Sequence, residues 1–137
     1  MPLADRAADL VVASMVLQSL DDPAAVMSEI ARVLAPGGRV CAAFVHPINS
    51  LSDLDPEVSY FDVVRYEDVI ERDGAVMTFN DVHRPLSGYM RLFEDAGLVI
   101  EALREPVPDD EHVAAFPAVK RWRSTPMFLQ VRALRPI

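Results

Sequence analysis

DLVVASMVLQSLDDPAAVMSEIARVLAPGGRVCAAFVHP, residues 9–47, decides the fold of this chain. Asp9-Leu10-Val11-Val12-Ala13-Ser14 is an almost unbroken apolar run of strand length, the pattern of a strand buried on both faces of a parallel sheet. Asp22-Pro23 supplies an N-cap residue and a proline at the first helical position. Val26, Met27, Ile30, Val33 and Leu34 recur at helical spacing and form one apolar stripe. The residue before a proline disfavours the α region, so the helix ends near Ala35. Pro36-Gly37-Gly38 turns the chain, and Arg39 to Val45 makes a second apolar strand. Strand, helix and strand at this spacing predict a right-handed βαβ crossover.

Outside this unit the texture changes. Met1 to Ala8 reads as a loop, and Met15 to Leu20 as a loop or short helical turn. The run from Asn49 to Pro56 is rich in turn formers. Asp73-Gly74 separates two β-compatible runs, and both residues tolerate positive φ, which predicts a β-hairpin over 66–79. Leu86, Tyr89, Met90 and Phe93 share a helical face behind Ser87, the expected cap, and Gly97 stops that helix. Leu98 to Leu103 reads as a strand, residues 105–111 as an acidic, proline-rich connector, and the alternation from Met127 to Leu134 as a last strand.

With 137 residues, 51% apolar and 25% charged, the chain has the length and composition of one soluble domain. Its net charge of −8 argues against a nucleic-acid backbone as partner, because that attraction needs a basic stripe and only Lys120-Arg121-Trp122-Arg123 approaches one. The single cysteine, Cys41, allows no internal disulfide, which fits a reducing compartment. No apolar run reaches membrane-spanning length, so the expected location is the cytoplasm, with no membrane partner. Three scattered histidines and one cysteine lack metal-ligand spacing, and the Asp53, Asp55, Glu57 trio lacks the glycine of a calcium loop, so no metal site is expected.

Asp9 to Val12, Val16-Leu17 and the run Ile30-Ala31-Arg32-Val33-Leu34-Ala35-Pro36-Gly37-Gly38-Arg39 resemble the later half of a class I S-adenosylmethionine-dependent methyltransferase of the type 11 kind. The resemblance extends from Pro2 to the C-terminus. It implies an α/β fold: the C-terminal half of a Rossmann-like sheet, a parallel βαβ unit followed by a helix and an antiparallel strand pair. The last strand should run antiparallel between the two before it. Residues 1–137 are then a single partial domain, with 48–84 as a substrate-side insertion. Methyl transfer from S-adenosylmethionine to a small-molecule acceptor is the implied function, in a longer or complemented protein. The competing expectation is a non-catalytic interaction module that retains the later half of the fold.

In open α/β sheets ligands bind outside the carboxyl ends of the parallel strands. By resemblance the first such end lies near the methionine part of the cofactor, which points to Ser14, Met15 and, further along the loop, Gln18. His46 ends the next strand, where an imidazole could deprotonate or orient an acceptor. Tyr60, Phe61 and His83 are the candidates for lining an acceptor pocket. The family's glycine-rich cofactor loop has no counterpart here: Gly37-Gly38 follow a helix and enter a strand. Leu10 to Ser14 would be a central strand in the complete fold, so this edge is expected to pair with a second copy or a complementing chain. No proline or lysine protects it.

Overall fold

The apolar run forms strand β1 (Ala8–Ser14), and the segment after Asp22 forms helix α1 (Pro23–Val33), in a computed structural model that describes residues 3–137. The Asp22 carboxylate accepts the Ala25 N–H at 2.9 Å, closing the helix start as its sequence dictates. At the other end, the Arg135 guanidinium donates to the carbonyls of Ala31, Arg32 and Leu34, which the last turn would leave unpaired.

Strand β2 (Leu34–Val45) follows without a break and runs parallel to β1, with Leu10 opposite Arg39 and Ser14 opposite Ala43. The turn expected at Pro36-Gly37-Gly38 is therefore a bulge inside the strand. Between the pairs Ala8–Leu34 and Leu10–Arg39, β2 advances five residues (34 to 39) while β1 advances two (8 to 10). Gly37 adopts φ 79°, and a Cβ on Gly38 would lie 2.8 Å from the Ala35 carbonyl and 3.1 Å from that of Asp9. These glycines serve the close approach of two backbones.

After the short helix α2 (Pro47–Ser52), strands β3 (Val64–Arg72) and β4 (Ala75–His83) form a separate two-stranded antiparallel ribbon. Asp73 and Gly74 turn it with φ of 51° and 77°, as the Asp-Gly signal predicts, and the ribbon outruns the expected 66–79 at both ends. Helix α3 (Leu86–Asp95) starts straight after Pro85 and has no side-chain cap. Ser87 thus sits inside the first turn rather than capping it, because the fixed φ of Pro85, −64°, already delivers the chain to the helix. Gly97, at φ 74°, ends this element, and β5 (Val99–Arg104) follows. The connector closes in helix α4 (Asp110–Ala115), capped by Asp109, before a 3₁₀ segment over Pro117–Arg123 and β6 (Phe128–Leu134).

The main sheet has the order β1-β2-β6-β5, with β6 antiparallel to both of its neighbours. Val40, Ala42 and Phe44 of β2 and Leu129, Val131 and Ala133 of β6 are buried on one face with Met27 and Ile30 of α1 and Tyr89 and Phe93 of α3. The rings of Phe44 and Tyr89 lie 4.3 Å apart at its centre. The opposite face differs from the expectation of a strand covered on both sides. Leu10 is 57% and Val12 67% exposed there, and β1 is an edge strand. A large apolar side chain left wet forgoes roughly 1.5–3 kcal/mol of burial. No helix among the described residues is long and apolar enough to cross a membrane.

Candidate functional site

The carboxyl ends of β1 and β2 lie side by side, joined by the Met15 N–H to the Ala43 carbonyl at 2.7 Å. Met15 adopts φ 54°, a left-handed conformation that a non-glycine residue enters only at a cost, and such strain gathers at functional sites. Its side chain is 41% exposed, so Met15 does not fill the core. Ser14 is exposed and lines a shallow concavity of about 350 Å³ on the open sheet face, with Val12, Cys41 and Ala43. The strained turn leads into a 3₁₀ segment, Leu17–Ser19, whose Leu17 is buried in the core. Gln18 is buried beside it, and its Oε1 has no hydrogen-bond partner.

His46 stands at the end of β2, buried, as the N-cap of α2. Its Nδ1 accepts the Ile48 N–H at 3.1 Å, which leaves the ring proton on Nε2 to be donated to Glu105 at 2.8 Å. Both nitrogens are engaged, so in this arrangement the imidazole has no free site for an acceptor's proton and instead fixes where α2 begins. His83 is fully buried and equally engaged. Its Nδ1 pairs with Ser50 Oγ at 2.8 Å, and its Nε2 donates to the Tyr60 carbonyl at 3.0 Å. The Tyr60 hydroxyl in turn accepts the Leu86 N–H at 2.9 Å. Tyr60 and His83 thus come together as a clasp holding ribbon and loop to α2 and α3, while Phe61 points outward at 76% exposure.

Between α2, the ribbon and the 3₁₀ segment lies a cleft of about 540 Å³ lined by Asn49, Asp53, Asp68, Trp122 and Met127. It opens beyond the carboxyl end of β2, where a substrate of this sheet type belongs. Burial, then the charge of Asp68, pushes the Asp53 carboxyl up, and Arg121 opposes them. The buried Nε1 of Trp122 has no partner. Toward β1, burial pushes the Tyr66 phenol up, reinforced by Asp81 and Asp53, and the Tyr89 phenol up to about 12. Asp81, Arg84 and Glu105 escape sequence reasoning. The one cue is the polar pair His83-Arg84 set directly before Pro85, where the ribbon meets the core.

A sheet ordered β1-β2-β6-β5, with its last strand inserted antiparallel and strained backbone at the end of β1, is the later part of a class I S-adenosylmethionine-dependent methyltransferase fold. A family model described as a methyltransferase domain matches residues 1–42. The chain superposes on an S-adenosylmethionine-dependent methyltransferase from Mesorhizobium loti with a TM-score of 0.72 at 21% identity, over 98% of this chain and 65% of that one. A Haloferax volcanii structure of a methyltransferase complex with the Trm112 activator matches at TM-score 0.62 and 20% identity, over 100% of this chain and 57% of that one. In sequence, the malonyl-[acyl-carrier protein] O-methyltransferase of Hahella chejuensis is 46% identical over 46 residues, which is 33% of this chain and 16% of the relative. The chain therefore spans less than two thirds of the length of these relatives.

Ser14, the strained Met15 and the unpartnered Gln18 Oε1 are the groups at this strand end that could hold a cofactor. The glycines all have other work: Gly37 and Gly38 in the bulge, Gly74 in the ribbon turn, Gly88 in α3 and Gly97 behind it. No group of three or more His, Cys, Asp or Glu side chains among the described residues comes together to hold a metal.

Proposed function

We propose that this chain is the acceptor-side half of a methyltransferase that moves the methyl group of S-adenosylmethionine to a small molecule in the cytoplasm. The observation that carries the reading is the left-handed Met15 at the carboxyl end of β1, joined to β2 by its N–H on the Ala43 carbonyl. When bound, the cofactor supplies an already activated methyl on a sulfonium, so the protein's task is alignment and exclusion of water. Ser14, Met15 and Gln18 hold the cofactor's methionine end. His46 and Glu105 fix the start of α2, and the Tyr60–His83 clasp sets the ribbon as a cover over the acceptor.

The same reading gives the open side of the sheet a role. A parallel pair is stable when covered on both faces, and the Leu10 to Ser14 edge with its wet Leu10 and Val12 calls for a complementing chain or a second copy. The test is S-adenosylhomocysteine release. The assembled protein, given S-adenosylmethionine and fractions of a small-molecule extract, should release it with some fractions and not others. No release with any fraction would overturn the proposal.

A further inference from the structure

Two buried polar groups lack partners beyond the carboxyl end of β1. Arg84 is 9% exposed and its Nη1 has no hydrogen-bond partner; Gln18 is 5% exposed and its Oε1 has none. Arg84 Nη2 donates to the Leu20 carbonyl at 3.3 Å, which brings the guanidinium to the end of the 3₁₀ turn that carries Gln18. No ion pair found among the described residues includes Arg84. The buried Asp81 accepts from the Ser19 hydroxyl, and the Tyr89 phenol lies against Arg84. A guanidinium removed from water without a counter-ion is costly, and an orphaned amide oxygen adds to that cost. Such groups call for an explanation, and a ligand that completes them supplies one.

We propose that Arg84 is the recognition point for the methyl acceptor, and that this acceptor carries a carboxylate, while Gln18 stays with the cofactor. The carboxylate accepts from Arg84 Nη1 in a charge-assisted bond. This rests on the methyltransferase reading and names its substrate class. Arg84 stands at the foot of the ribbon, directly after β4. The ribbon closes on the 3₁₀ turn and its flank through side-chain contacts, Ser19 with Asp81 and Arg65 with Asp21. Opening those two contacts breaks no ladder bond of the main sheet and leaves the His83 clasp closed, and that movement admits the acceptor.

The probe is lactate, with lactamide as the neutral control, titrated into the ¹⁵N-labelled full chain and followed by NMR. Lactate should shift the amides around Gln18 and Arg84 saturably, and lactamide should not. Arg84→Met should weaken lactate binding at least ~10-fold while raising the urea midpoint, because an apolar isostere removes an uncompensated buried charge. Arg84→Lys, which keeps the charge but not the fork, should retain part of the affinity and serves if the methionine variant does not fold. Absence of lactate-specific shifts, or unchanged affinity in Arg84→Met or Arg84→Lys, would overturn the proposal. Lactate binding, with no S-adenosylhomocysteine release by the assembled protein in any extract fraction, would leave this site standing and overturn the methyltransferase reading. Release that is unaltered in Arg84→Met would do the reverse.

Discussion

His46 Nε2 lies 2.8 Å from a Glu105 carboxylate oxygen, and that contact joins the end of β2 to the start of the connector after β5. With Nδ1 capping α2 and Nε2 on Glu105, both ring nitrogens are engaged and the side chain fixes where α2 begins. His46→Ala should cost ~0.5–2 kcal/mol, the range for loss of an N-cap. His46→Asn, which can still accept the Ile48 N–H, should recover most of that stability and most of the methyl transfer. Urea denaturation and S-adenosylhomocysteine release check both. An inactive but fully stable His46→Asn protein would instead assign His46 an acid–base role.

Ser50 supplies the partner of His83 Nδ1 inside the clasp. Ser50→Ala leaves that nitrogen buried and unpaired, and should destabilise the protein by ~1–3 kcal/mol. Limited proteolysis should then cut the ribbon and the loop before it earlier than in the wild type. An unchanged digestion pattern would mean that Tyr60 and His83 hold the ribbon without Ser50.

Glu101 bridges Arg39 of β2 and Arg132 of β6 at 2.8 and 3.0 Å, and the hydrogen bond from Arg39, ahead of the nearby charges, holds its carboxyl below the usual range. A depressed folded-state pKa contributes stability above the unfolded value, and that contribution is lost as pH falls through the folded one. Glu101→Gln should therefore lower the urea midpoint at pH 7, and the difference from wild type should shrink as pH falls below ~4. A gap independent of pH would show that the amide loses packing and not charge.

The unpaired β1 edge and the wet Val12 predict association. Light scattering on the purified chain should give a mass that rises with concentration. Val12→Lys, the protection that natural edges carry, should return it to a monomer. A wild-type monomer at every concentration would remove the case for a second copy on this edge.

The β1–α1–β2 unit was legible because its signals are local: an apolar run, an Asp-Pro cap and a helical stripe. The ribbon turn was legible for the same reason, in Asp73-Gly74. The place of β6 between β2 and β5 came from the family resemblance, since alternation in one strand does not choose its neighbours. The open face followed from the family resemblance and not from the residues alone, because Leu10 and Val12 read alike whether or not something covers them. The engagement of His46 and His83 was hidden too, because Glu105 and Ser50 lie 59 and 33 residues away. Arg84 gave no sign of burial, because the packing that hides it is tertiary.

The most direct measurement is an NMR titration of the ¹⁵N-labelled chain with S-adenosylhomocysteine. Ser14, Met15 and Gln18 sit at one strand end without a glycine loop beside them, so binding should be weak and local. The account predicts shifts confined to the amides of Ser14, Met15, Gln18 and their immediate neighbours, still unsaturated at micromolar ligand and saturating only in the millimolar range. Shifts centred on another part of the chain, or none at millimolar ligand, would contradict it.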